Sequence, residues 1–258
     1  MQYIHIENFD LPQLQPYQRM KAPLAEHQES FIADSPKVVS TLLESGIEAY
    51  SLLATQAYYH THQQYLEQFP IERAYIAPKS LMESIVGHRL HHNVMMHAKK
   101  PAPTPLEELN DEIVMLTEIS NSDNIGAIAR SGAGLGVKSY LLPKQGPHPY
   151  ARRAVRVSMG YMGHLQYHLY EQIEETILAL KKRGYTIFAA EVTPNATPLS
   201  HVKSPKKWVL LMGHEQNGIS KEILSLCDEV LSIEMEQGVK SFNVAIASSI
   251  MMYQLKHA

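Results

Sequence analysis

The chain has 258 residues, 45% hydrophobic and 19% charged. That composition supplies a core and excludes a chain disordered throughout. One cysteine, Cys227, excludes an internal disulfide framework and any zinc site built from several thiolates. A formal net charge of −3 carries no whole-chain signal for nucleic acid, which a generic binder gives as a basic balance.

The opening MQYIHIENFD has neither the basic cluster nor the apolar run of a signal peptide. No apolar stretch reaches the ~18–20 residues of a membrane helix. The chain is therefore expected to be soluble and cytoplasmic, with no membrane partner. A helical arm is expected around Tyr17 to Glu29. Ser35 followed by Pro36 starts a helix with an apolar face of Val38, Val39, Leu42 and Leu43, and Gly46 stops it. Strands are predicted over 49–54, 73–77 and 93–98, with helices over 61–69 and 80–86. The run Lys100-Pro101-Ala102-Pro103-Thr104-Pro105 favours a stiff extended connector. The predicted organisation is a small α/β domain over 1–100, a linker over 101–109 and a second domain over 110–258.

Beyond the linker, strands are predicted over 113–119, 137–142, 185–192, 208–212 and 230–235. They alternate with helices over 124–135, 171–183, 220–227 and 242–255. Such alternation argues for a mostly parallel sheet covered on both faces, with ligands gathering beyond the carboxyl ends of its strands. Basic side chains cluster in this half, at Arg152, Arg153 and Arg156, at Lys181, Lys182 and Arg183, and at Lys203, Lys206 and Lys207. Each reads first as a solvated face, with phosphate contact as the alternative.

Three loops follow predicted strands. In Asn121 to Arg130, Asn124 is expected to cap the helix, and Gly126 admits a close neighbour. In Leu211 to Ser220, Gly213 and Gly218 frame Glu215, and Ser220 is expected as a cap. In Ile233 to Val244, a Ser241-Phe242-Asn243 step opens an apolar helix, with Ser241 expected as the cap and the Asn243 side chain left for another purpose. Gly132, Gly134 and Gly136 do not make a dinucleotide fingerprint, because Val137 stands where the third glycine belongs.

Asn124-Ile125-Gly126-Ala127-Ile128 with Arg130, then Met212-Gly213-His214-Glu215-Gln216-Asn217-Gly218-Ile219-Ser220, then Ser241-Phe242-Asn243-Val244 resemble the signature motifs of the SpoU (TrmH) family. These are RNA ribose 2′-O-methyltransferases of the SPOUT class. The resemblance spans roughly 110–258. A looser likeness in Phe31 to Val39 and Gly87 to Ala98 matches the small substrate-binding domain that many members carry. The resemblance implies an α/β fold with a parallel sheet, a C-terminal trefoil knot and a homodimer. It implies S-adenosyl-L-methionine as cofactor and tRNA or rRNA as substrate, the first domain tilting the choice to rRNA. Met212, Gly213, Gly218, Ile233, Met235 and Phe242 would line the cofactor. Asn124, Arg130, Glu215, Ser241 and Asn243 would be the polar groups of catalysis. Arg152, Arg153 and Arg156 would contact RNA, and Arg156-Val157-Ser158-Met159-Gly160 resembles a Ser-x-Gly stretch of the family. The chain departs from the pattern at Glu234, where proline is common, at Gln237, with its glycine one place later at Gly238, and at Phe242, where leucine is usual. A catalytically weak RNA-binding or assembly factor with the same fold is the alternative reading.

His88, His91, His92 and His97 crowd one stretch. Without a neighbouring carboxylate or cysteine partner they read as surface or RNA-facing groups, and no metal is expected. Met251 and Met252 read as packing residues.

Overall fold

The computed structural model describes residues 1–8, 11–18, 29–214, 216–239 and 241–258. Its chain divides into two compact units, Met1–Ala102 with Tyr150–Gly163, and Pro103–Pro149 with His164–Ala258.

In the first unit the elements run β1 (Gln2–His5), α1 (Gln15–Gln18), β2 (Ser30–Asp34), α2 (Pro36–Glu44), β3 (Ala49–Ala54), α3 (Gln56–Leu66), β4 (Arg73–Ile76), α4 (Lys79–Val86) and β5 (Val94–Lys99). The strands form a mixed sheet of order β1-β4-β3-β5-β2. Pairs β1/β4 and β3/β4 are parallel, and β3/β5 and β2/β5 antiparallel. Helix α2 begins as the sequence predicts. Pro36 opens it, Ser35 Oγ accepts the Val38 N–H at 3.4 Å, and Val38, Val39, Leu42 and Leu43 are buried. Helix α3 starts before its predicted position because Thr55 Oγ1 caps it through Tyr58 N–H at 3.3 Å. Of the expected arm over 17–29, residues 19–28 lie outside the described residues. The Tyr17 side chain is buried, its hydroxyl donating to Ser51 O at 3.1 Å.

The second unit begins with β6 (Glu112–Leu116), α5 (Ser122–Leu135) and β7 (Ser139–Pro143). The following helix, α6 (Arg152–Val157), belongs to the first unit. The second then resumes with β8 (Gln166–Tyr170), α7 (Ile173–Lys182), β9 (Thr186–Ala190), β10 (Thr197–Pro198), β11 (Trp208–Met212), α8 (Lys221–Leu226), β12 (Glu229–Ser232) and α9 (Val244–His257). Its sheet has the order β10-β12-β9-β11-β6-β7-β8, and every pair is parallel. Central strand β11 is buried throughout, as an all-parallel sheet covered on both faces demands. Strand β11 lies between β9 and β6, β12 lies beyond β9, and α9 returns to pack on α5 and β11. The chain order reverses across β6 and β11, the kind of switch point where open α/β sheets bind ligands.

The predicted boundary is corrected at 150–163. The linker breaks the chain at Ala102, inside the proline run, but residues 150–163 pack with the first unit instead of the second. Close packing explains this. The Phe31 and Tyr150 rings meet edge-on at 5.0 Å, Arg152 pairs with Asp34 at 2.6 Å, and a Cβ on Gly160 would stand 2.7 Å from Val38 O.

Candidate active site

A cavity of about 440 Å³ lies at the carboxyl ends of β9, β11 and β12. All six residues expected to line a cofactor, Met212, Gly213, Gly218, Ile233, Met235 and Phe242, line it, together with Ser241 and Asn243. The floor is apolar, from Leu231, Val244, Ala247 and Met251.

The loop after β11 closes on itself. His214 N–H donates to Gly218 O at 3.1 Å and Gly218 N–H to His214 O at 2.9 Å. His214 Nδ1 faces the N–H of Gln216 at 3.1 Å, so that ring nitrogen is the acceptor. Both glycines are required by geometry. A Cβ on Gly213 would sit 2.8 Å from Gly218 C, and Gly218 adopts φ +65°, with a Cβ there overlapping Glu191 Oε2. The sequence pattern predicts one strand over 185–192 and gives no signal for Glu191. Strand β9 ends at Ala190, and the Glu191 carboxylate turns back to accept Ile219 N–H at 2.9 Å on Oε2 and Val192 N–H at 3.0 Å on Oε1.

Two expected caps move. Asn121, not Asn124, caps α5, its Oδ1 accepting Asp123 N–H at 2.8 Å. Asn124 falls within the first turn and is buried. Asn243, not Ser241, caps α9, its Oδ1 accepting Ala245 N–H at 2.9 Å and Ile246 N–H at 3.4 Å. The Asn243 side chain is therefore engaged. Its Nδ2 donates to Asn124 Oδ1 at 3.1 Å, which joins the first and third motif loops.

A family model, the SpoU rRNA Methylase family, matches residues 111–253, more than half of the chain. The chain belongs to the SpoU rRNA methylase family. A relative from Mycobacterium bovis, named an uncharacterized tRNA/rRNA methyltransferase, is 28% identical over 186 residues, covering 70% of this chain. The chain spans 65% of that relative's length. An AdoMet-bound rRNA methyltransferase from Sinorhizobium meliloti superposes with a TM-score of 0.85 at 19% identity, over 99% of this chain and 98% of the other. An RNA 2′-O ribose methyltransferase superposes at 0.77 and 17% identity, over 98% of each chain. These likenesses show the fold, that of SPOUT methyltransferases.

Among the described motif residues, Asn124 and Arg130 are not part of the cavity lining. Arg130 is exposed on α5 and does not line it, and Glu215 lies outside the described residues. Glu234, where the SpoU pattern has proline, turns to Ser200, whose hydroxyl and N–H both donate to Glu234 Oε1. The Ser200 hydroxyl holds that carboxyl below its ordinary range. Gly238, one place later than in the SpoU pattern, takes φ +94°, a conformation that suits glycine. The three arginines expected to meet RNA lie in the first unit. Arg152 and Arg156 line a separate cavity of about 370 Å³ with His88, Arg89, His91 and His92, while Arg153 is exposed outside it. His97 lies elsewhere, on β5 between the rings of Tyr17 and Tyr50. Among the described residues no three His, Cys, Asp or Glu side chains form a metal-binding group.

Proposed function

We propose that this chain is an S-adenosyl-L-methionine-dependent methyltransferase acting on a ribose 2′-hydroxyl of tRNA or rRNA, with rRNA favoured. One observation carries the reading: the second and third SpoU motifs line one cavity, and the first is a single hydrogen bond away. About 440 Å³ falls in the range of small-molecule sites, roughly 300–1,000 Å³. Its apolar floor and glycine-rich rim suit an adenine held through main-chain groups, so the residues present fit this cofactor.

When bound, the cofactor would supply a sulfonium methyl group for transfer to the ribose oxygen, the C–S electron pair remaining on sulfur and the hydroxyl proton passing to solvent water. The chain's part is mainly to align the reacting atoms, a contribution of roughly 7–11 kcal/mol, against about 10²–10⁴-fold for general-base help. Asn124 and Asn243 form a fixed polar pair at the rim for the ribose. Arginine side chains stay protonated, so Arg130 is assigned to holding the ribose or an adjacent phosphate.

Arg130 is exposed and does not line its own chain's cavity, which favours a homodimer in which each Arg130 serves the partner's cavity. The exposed α9 stripe of Ile246, Ile250 and Tyr253 is the surface for that contact. The return of α9 past β11, after β12 has crossed to the far side of β9, is the passage that would tie the trefoil knot. Arg152, Arg156 and the basic side chains beside them are assigned to RNA, with exposed Arg153 contributing at the rim. The localisation that suits this work is the cytoplasm.

The test is incubation with methyl-labelled cofactor and total RNA, followed by digestion to nucleosides. Label in 2′-O-methylnucleosides is the expected result. Label confined to bases, or RNA binding with no cofactor binding, overturns the reading, the latter in favour of an inactive assembly factor.

A further inference from the structure

We propose that Glu191 biases the cavity toward the cationic methyl donor and against the neutral-sulfur product of its own reaction. This rests on the reading of the cavity as a cofactor site. Among the described residues lining it, Glu191 is the one carboxylate, and no lysine or arginine lines it. Among the described residues of the wall, no cationic Lys or Arg side chain is set against its charge.

The carboxylate is fixed in place. The main-chain N–H of Glu191 donates to Leu231 O at 3.2 Å, tying residue 191 to β12. Its two oxygens accept the N–H groups of Val192 and Ile219 at 3.0 and 2.9 Å. The left-handed φ of +65° at Gly218 leaves room for Oε2 where any side chain would collide. Each oxygen keeps lone-pair capacity beyond the one bond it accepts, so the group still presents negative charge to the cavity. The chain has arranged a glycine and three main-chain bonds around one acidic side chain at the wall of a pocket.

The charge arithmetic of methyl transfer gives this placement its effect. S-Adenosylmethionine carries a sulfonium charge in addition to its ammonium and carboxylate. S-Adenosylhomocysteine has the same ammonium and carboxylate with an uncharged sulfur. An anion fixed in the wall attracts the first more than the second. At an effective dielectric of about 20 and a separation of roughly 12 Å, the difference is of order tenfold in affinity. The product is released more readily as soon as the sulfur loses its charge.

Calorimetry with S-adenosylmethionine and S-adenosylhomocysteine on the full chain tests this. Glu191→Gln keeps an acceptor oxygen and removes the charge. It is expected to weaken the methionine form ~tenfold and to leave the homocysteine form within about twofold, while Glu191→Asp retains the wild-type ratio. Exposed Val192 lines the same cavity, so Val192→Lys adds a cation without replacing Glu191 and is expected to move the ratio the same way even if Glu191→Gln folds poorly. Equal loss of both ligands in Glu191→Gln makes the residue only a brace for the 218–219 turn and overturns the proposal, as does an unchanged ratio in Val192→Lys. Wild-type protein that binds neither ligand refutes the cofactor reading itself, a separate failure.

Discussion

Asn243 Nδ2 reaches Asn124 Oδ1 at 3.1 Å, a bond between residues 119 positions apart in the chain. The same Asn243 side chain caps α9 through its oxygen. One amide thus fixes the start of the last helix and ties it to the start of α5, beside the cavity. The two tasks can be separated. Asn243→Ser keeps a capping oxygen on a side chain too short to span to Asn124, and Asn243→Ala removes both. In urea unfolding, the alanine variant is expected to be less stable than the serine variant by roughly 1 kcal/mol, within the 0.5–2 kcal/mol of a lost cap. Methyl transfer falls in both. Serine with wild-type turnover would show that the bridge to Asn124 has no part in the reaction.

Arg130 is exposed, so its removal disturbs little packing, and Arg130→Ala is expected to change stability by less than about 0.5 kcal/mol. Cofactor affinity is retained because the side chain does not line the cavity. Turnover is expected to fall about 10²-fold or more, the scale of a lost positioning or proton-transfer group. Calorimetry and single-turnover kinetics on the same preparation separate the two effects, and unchanged turnover removes Arg130 from the mechanism.

The strands at the heart of the second sheet were legible because they are short apolar runs bounded by turn residues, as in Trp208–Met212. The second and third motif loops were legible because their glycines and polar residues sit at strand ends. Strand β8 was not. Its Gln166–Tyr170 stretch mixes polar and aromatic residues at the sheet edge, where only one neighbour demands apolar character. Strand β10 has two residues, too few for any periodicity. The cap positions failed for a different reason. Asn121 and Asn124 are equally good capping types, and only the backbone turn decides between them. Glu191 carried no local signal at all, since its role depends on a turn 28 residues further on. The allegiance of residues 150–163 was likewise invisible, resting on the contact of Arg152 with Asp34, 118 positions away.

The first-unit cavity leads to a salt-dependence prediction. Each phosphate contact to single-stranded RNA contributes about 0.7 to the slope of log affinity against log salt. Arg156→Ala is expected to weaken RNA binding and to lower that slope by about one contact's worth, with cofactor affinity unaffected. Fluorescence anisotropy across a salt series with a labelled rRNA fragment reads both. A variant with an unaltered slope places Arg156 outside the RNA contact.

The α9 stripe sets the oligomeric state in the proposed dimer. Ile246, Ile250 and Tyr253 are 52%, 38% and 58% exposed, spaced to share one face of the helix. Ile250→Asp would bury an unpaired charge in a contact between copies, so sedimentation is expected to shift from dimer toward monomer, with turnover lost and cofactor binding kept. A wild-type protein that sediments as a monomer at micromolar concentration overturns the dimer.

His97 gives the first unit an acid limb. Burial among Tyr17 and Tyr50 disfavours the imidazolium and lowers its pKa from 6.5 to about 4, and the buried Nε2 has no hydrogen-bond partner among the described residues. The unfolded chain protonates this side chain near 6.5 and the folded chain only near 4, so between those values the unfolded state binds more protons. Stability from this group is therefore complete above about pH 6.5 and is lost as pH falls toward 4. His97→Gln removes the titration while keeping a polar side chain of similar length. The urea midpoint of the wild type is expected to drop more between pH 7.5 and 5.0 than that of the variant. Parallel lines for the two proteins would mean that His97 charges as readily in the folded chain as in the unfolded one.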